Sequence, residues 1–145
     1  MAKDAQTWRI EIDDFMEENV IGEVLKVQRK MTLELLTQVV QNTPVGNRAR
    51  WKRNIERKAK GLKGLLPRGY VGGHARKNWQ VKINQKPVNT VNGEDKSGNE
   101  TITRGGRQIR KIKEPCIAYI SNLLPYIDRL EKGDWSKSAP NGIAK

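Results

Sequence analysis

Two pairs of adjacent carboxylates, Asp13–Asp14 and Glu17–Glu18, are the first residues in this chain whose types and spacing could do chemistry. Close acidic pairs hold catalytic metals in nucleases and divide the acid and nucleophile roles in glycosidases. Here they fall in what reads as the first turns of a long helix, where negative charge favours the positive end of the helix dipole. That simpler account leaves them without a catalytic role. His74 follows two glycines and reads as an exposed loop residue, and Cys116 lies in an apolar run where a thiol behaves as a small hydrophobe. One His and one Cys cannot close a structural zinc site, and no carboxylate spacing matches a calcium loop. The glycines of "GYVGG" (69–73) do not stand between a strand and a helix as a nucleotide fingerprint requires. The residues assemble no active site, so the expectation is a non-enzyme with no cofactor and no metal.

Charge is the stronger signal. Lys and Arg total 28 against 16 acidic residues, a net of +12. Residues 1–46 carry 5 basic and 8 acidic side chains (−3), and residues 83–145 carry 11 and 7 (+4). Residues 47–82 carry 12 basic side chains and only Glu56, a net of +11. An anionic partner is implied for that segment. Arg48, Arg50, Lys52, Arg53, Arg57 and Lys58 supply the charge, with Trp51, Tyr70 and Trp79 nearby. Cations with aromatic faces suit nucleic acid, through phosphate contacts and base stacking. They equally suit docking on an acidic protein face, and the residues alone leave both open. A single cysteine excludes an intrachain disulfide and suits a reducing compartment. No signal-peptide pattern and no apolar run near the roughly 18 residues of a spanning helix is present. The expectation is a soluble protein folded in cytosol, with no membrane partner.

The elements that would carry these residues read as one domain over 1–145. Residues 10–42 form a long amphipathic helix, with a core stripe of Val20, Val24, Val27, Met31, Leu35 and Val39 widened by Leu25, Leu36 and Val40. Thr43 precedes Pro44 and stops it. Residues 45–78 are a basic loop insertion in which "NRARWKRNIERKAKGLKG" forms a short helix and "LLPRGYVGGHARKN" stays irregular. "WQVKINQK" alternates, placing Trp79, Val81 and Ile83 on one face. Asn92-Gly93 marks a turn, and Ser97 to Glu100 has the form of a capping box for a helix through about 111, weakened by Gly105 and Gly106. "PCIAYIS" is apolar on both faces and reads as an interior strand. Leu124, Ile127 and Leu130 share one face of a short final helix, with Pro125 in its first turn and Gly133 at its C-terminal cap. The order gives an α+β fold: a long N-terminal helix packed on a small, mainly antiparallel sheet, with two shorter helices and a long basic loop.

Four stretches carry a resemblance when taken together: "NTPVGN" (42–47), "GYVGGHARKNWQV" (69–81), "YISNLLPYIDRLEKG" (119–133) and "WSKSAPNG" (135–142). Their order and spacing resemble the tail-completion family of tailed bacteriophages, the neck or head–tail joining proteins. The matching positions are Gly73, Arg76, Asn78 and Trp79, then Tyr119, Ile120, Asn122, Pro125, Tyr126, Leu130, Glu131 and Gly133, then Trp135, Ser136, Ala139, Pro140 and Gly142. The resemblance spans roughly 20–143. It implies a structural virion protein assembled in the host cytoplasm. Such a protein forms a ring, six-membered by preference or twelve-membered, that joins the portal or connector side of a DNA-filled head to the tail terminator or tail tube. It also implies a heterologous interface around the ring. Tyr126, Trp135, Ser136 and Pro140 would shape the surface for neighbours, Arg48 to Lys58 would support docking, and Trp51 or Tyr70 would be an apolar anchor. Contact with DNA in the channel would be non-specific. Two departures stand out. The segment between Pro44 and Gly73 is long and unusually basic, and relatives often continue past the position of Lys145 into another strand, an edge that a neighbour would then supply.

Overall fold

The computed structural model describes residues 13–47, 52–64, 71–133, 136 and 138–143, apart from the side chains of Glu18 and Lys52. It is an α+β fold: one long helix, a two-stranded antiparallel sheet and four shorter helices among the described residues. Helix α1 runs over 13–42, with a π-helical stretch at Met16–Ile21 and regular α-helix at Gly22–Asn42. Then come α2 (Lys52–Ala59), α3 (His74–Lys77), β1 (Trp79–Ile83), α4 (Asn99–Ile109), β2 (Ala118–Asn122) and α5 (Ile127–Glu131). The expected helix at 10–12 lies outside the described residues.

Helix α1 stops where Pro44 requires it. Thr43 is extended (φ −65°, ψ 120°), and its N–H still donates to the Val39 carbonyl. Its buried face is not the one the apolar count selects. Leu25, Leu36 and Val40 pack with Val81, Ile109 and Ile112 in one core cluster. Val39 joins Ala75, Leu124, Leu130 and Ile143 in a second, and Trp79 and Ile120 touch both. The expected core residues Val20, Val24, Val27, Met31 and Leu35 are exposed, Met31 by 63% and Leu35 by 51%. Two ladders on this helix share the same 4-3-4-4 spacing: 20-24-27-31-35, and 25-29-32-36-40. The second reads as interrupted because it contains Arg29 and Thr32. Both are satisfied internally. Arg29 donates through Nε and Nη2 to the Ile112 carbonyl, and Thr32 Oγ1 donates to the Gln28 carbonyl. Polar residues with partners are compatible with burial, so the interrupted ladder faces the core.

Two other expectations are corrected at α4. The helix begins at Asn99 after Gly98, and the side chain that caps it is Asp95 rather than a Ser97–Glu100 box. Gly105 is there for proximity. A Cβ at this position would lie 2.2 Å from Leu36 Cδ2, so the missing side chain lets α4 approach α1 closely.

Strand β2 pairs with β1 in the register Trp79↔Asn122, Val81↔Ile120 and Ile83↔Ala118. "PCIAYIS" is therefore not an interior strand. All five residues of β2 are half-buried, and Cys116 precedes the strand, offering its carbonyl to Gln28 Nε2. The Asn84 N–H bonds to the Ile117 carbonyl, which fixes the phase of the ladder. By alternation, the backbone groups of Ala118, Ile120 and Asn122 point away from β1. The same rule turns the Trp79 carbonyl outward on the other edge, where Arg104 Nη2 reaches it at 3.0 Å.

Candidate assembly surface

Residues from the stretches singled out in the sequence converge around the C-terminal end of α1. Thr43 is fully buried; its Oγ1 donates to the Val39 carbonyl at 2.5 Å and accepts the Trp79 Nε1–H at 2.7 Å. Arg76 spreads its guanidinium over three carbonyls: Nε to Thr43 (2.7 Å), Nη2 to Gln41 (3.0 Å) and Nη1 to Lys96 (2.8 Å). Asn78, also fully buried, donates to the His74 and Val91 carbonyls and accepts the Val91 N–H. Asn122 reaches across from β2 to the Ala75 carbonyl at 2.8 Å. The chain just after the last motif folds back onto the same place. Ala139 and Ile143 are buried, and the Ile143 carbonyl accepts from Asn42 Nδ2. The side-chain bonds of these residues fix backbone geometry.

Gly73 shows how tight this junction is. Its φ is +98°, and an added Cβ would sit 2.5 Å from the Asp95 carbonyl carbon. Its own carbonyl accepts the Asp95 N–H, joining the α3 entry to the cap of α4. Gly73→Ala is expected to cost about 1–3 kcal/mol through the strained backbone. Urea unfolding of the variant beside wild type checks this; an unchanged midpoint would mean that the junction relaxes freely. Irregular structure was expected throughout 65–78. Residues 65–70 lie outside the described residues, but 74–77 make one helical turn, stopped at Asn78.

The basic segment forms α2. Its end is a tight stop after Gly61: the Leu62 N–H bonds back to Arg57 and the Gly61 N–H to Lys58. Arg53 and Lys58 are exposed, while Arg57 is half-buried and donates through Nε to the Lys63 carbonyl at 2.8 Å. Arg57 therefore closes its own loop as well as carrying charge. Ile55 and Leu62 are also left exposed, at 48% and 49%. Lys52 opens the helix. Arg48, Arg50, Trp51 and Tyr70 lie outside the described residues, as does Trp135. Tyr126 is half-buried and packs against the second core cluster. Ser136 is half-buried, its Oγ accepting the Ser138 N–H, and Pro140 is exposed.

The remaining chemical candidates take structural or solvent-facing positions. Asp13, Asp14 and Glu17 are exposed on the first turns of α1. His74 Nδ1–H donates to the Gly93 carbonyl at 2.7 Å, tying α3 to the Asn92-Gly93 turn. Among the described residues no group of three His, Cys, Asp or Glu side chains is placed to hold a metal ion, and no helix is long and apolar enough to cross a membrane.

Sequence reasoning missed a different feature. Val24, Val27, Met31 and Leu35 of α1, with Ala118 and Ile120 of β2, line an open groove of about 830 Å³. The signal was present as the uninterrupted apolar ladder, but it was assigned to the core. No protein-family model matches the chain, and no curated protein and no solved structure matches it either.

Proposed function

We propose that this chain is a structural protein of the bacteriophage neck, assembling as a ring that joins the DNA-filled head to the tail. The observation that carries the reading is the convergence of the family-like residues. Thr43, Gly73, Arg76, Asn78, Trp79 and Asn122 come from stretches up to about eighty positions apart, yet they build one junction at the end of α1. Motifs that meet in space and lock one another's backbones behave as a fold signature rather than as scattered coincidences. The exposed apolar ladder of α1 adds a surface of the kind that subunit contacts use.

In this reading the cations of α2 contact protein. A channel through which DNA must slide tolerates few strong phosphate contacts, whereas an acidic face of a neighbouring subunit gains orientation and speed of docking from them. Subunits form a hexameric ring by preference, or a dodecameric one beside a portal, between connector-side and tail-side proteins. Mass spectrometry of purified particles tests the reading first, since a neck protein must be present in them. The sharper test uses Arg53→Glu with Lys58→Glu, which spares the structural bond of Arg57. Filled heads and separate tails that fail to join are expected. Normal joining with altered DNA retention would instead assign these side chains to the channel wall. Binding to free DNA that falls steeply with salt would favour a nucleic-acid-binding protein.

A further inference from the structure

The groove between α1 and β2 runs beside an unfinished sheet edge. Its walls are carbon: Val24, Val27, Met31 and Leu35 on one side, Ala118 and Ile120 on the other. Among the described residues β2 pairs only with β1, and the outward N–H and C=O groups of Ala118 and Ile120 meet no backbone partner. Such an edge is a template for an extended segment, whose main chain bonds to the edge while every second side chain enters the trough. In an added strand, the residues opposite Ala118, Ile120 and Asn122 point to the α1 face of the sheet. The five residues of β2 offer about 13 Å of edge, and the helix wall from Val24 to Leu35 is about 17 Å long. Charge along that wall is largely spent. Glu23 is bonded to Lys26 at 2.6 Å, Glu34 lies 3.9 Å from Lys30, and Arg29 is held by the Ile112 carbonyl. The fitting occupant is an extended run with three alternating apolar side chains and little net charge.

Residues 7–12, Thr-Trp-Arg-Ile-Glu-Ile, are such a run. Trp8, Ile10 and Ile12 alternate with Arg9 and Glu11, whose charges cancel, and Thr, Trp and Ile all favour strands. A helix would turn Ile10 about 200° away from Trp8 and Ile12, whereas a strand puts all three on one face. No other stretch outside the described residues suits the edge: 65–70 contains Pro67 and Gly69, which interrupt a ladder, and 48–51 is shorter than β2. Covalent length then decides which copy supplies the strand. Ile12 is joined to Asp13, and the groove begins at Glu23, about 15 Å further along α1. Adjacent Cα atoms are only about 3.8 Å apart, so a chain cannot lay Trp8, Ile10 and Ile12 in its own groove. We infer that residues 8–12 of one copy add as a third strand to the β2 edge of another copy, with Ile10 opposite Ile120 and with Trp8 and Ile12 entering the groove on either side of it. Arm and groove are different surfaces, so the contact is heterologous. This inference rests on the neck reading for its place in a ring, but its test does not.

Sedimentation velocity of the full chain over a concentration series measures the association directly. Ile10→Asp puts a charge on the arm and Met31→Asp puts one in the groove; circular dichroism melting verifies that each variant folds. Each alone should self-associate at least ~10-fold more weakly than wild type. An equimolar mixture should then form one-to-one pairs and nothing larger, since one intact arm meets one intact groove. Glu11→Gln, on the opposite face of the same strand, should associate as wild type does. A labelled synthetic peptide of residues 5–12 identifies the occupant. It should bind the Ile10→Asp chain, whose groove is intact, and bind the Met31→Asp chain at least ~10-fold more weakly. Val27→Asn replaces Met31→Asp, and Ile12→Asp replaces Ile10→Asp, should either lower the melting temperature. Unchanged association in Ile10→Asp or Met31→Asp, a mixture that forms no pairs, or weakened association in Glu11→Gln overturns the inference. So does a wild-type chain that stays monomeric throughout, or a peptide that fails to distinguish the two chains. Absence of the chain from purified particles would sink the neck reading while leaving this interface standing.

Discussion

Leu36→Ala lowers the stability of the folded chain by about 2–5 kcal/mol, whereas Leu35→Ala, one residue earlier, lowers it by less than about 1. Leu36 is fully buried and fills the space opposite Gly105, with Val40 and Val81 in the same cluster. Truncating it leaves a cavity between α1 and α4 that the close helix approach cannot collapse. Leu35 faces the groove, so its truncation removes surface that water already touches. Urea unfolding at low protein concentration is the proper measurement. Equal losses for the two variants would place both ladders of α1 in the core and close the groove. A larger loss for Leu35→Ala would restore the helix phase that apolar counting suggests.

The second large effect concerns Asp95. Its carboxylate is buried at the start of α4. Oδ1 accepts the Gly98 N–H at 2.8 Å and the Ser97 hydroxyl at 3.2 Å, and Oδ2 accepts the Thr101 N–H and hydroxyl, each at 2.8 Å. Burial alone pushes its pKa up, but the bonds from Thr101, Gly98 and Ser97 together outweigh it, and the group is held below the usual carboxylate range. Asp95→Ala strands two buried backbone N–H groups and the fully buried Thr101 hydroxyl, and is expected to cost about 3 kcal/mol or more. The pH dependence follows from the sign of the shift. A depressed folded pKa means that the stabilisation is fully present above the unfolded value of about 3.9 and is lost as pH falls through the folded value. Wild type should therefore lose more stability than Asp95→Ala on acidification from pH 5 into the range below 4. Parallel pH profiles for the two proteins would show that the carboxylate is not the group being titrated.

Local signals in the sequence located most elements. Thr43 before Pro44 ends α1, the alternation of Trp79, Val81 and Ile83 marks β1, and Ile127 and Leu130 mark the final helix, which begins only after Leu124 and Pro125, the residues expected in its first turn. Each of these depends on neighbours a few residues away. The misreadings depend on contacts made at long range. Arg29 looks like a break in a core ladder until the Ile112 carbonyl, 83 residues on, gives it a partner. "PCIAYIS" looks like an interior strand because its apolar content says nothing about how many strands flank it. Gly105 looks like a weak point of α4 until Leu36 is seen against it. Asp95 caps α4 from outside the four-residue pattern that a capping box uses. The basic segment was legible as charge, but the groove was concealed, because the residues that line it look in sequence like ordinary core.

The closing of the junction at the end of α1 has a consequence for how the chain reaches its native state. Gln28 waits for the carbonyl of Cys116, Thr43 for Trp79, and Asn42 for Ile143, a partner 101 residues away. Contacts of such separation carry a loop-closure cost before they return any stabilisation, and chains dominated by them fold slowly. During synthesis α1 emerges first, with both of its ladders bare, and the second core cluster cannot close until Ile143 has left the ribosome. At roughly 5–20 residues per second, a hundred residues take many seconds, during which the apolar faces are open to aggregation. Slower translation lengthens that exposure and should therefore lower the soluble yield of this chain.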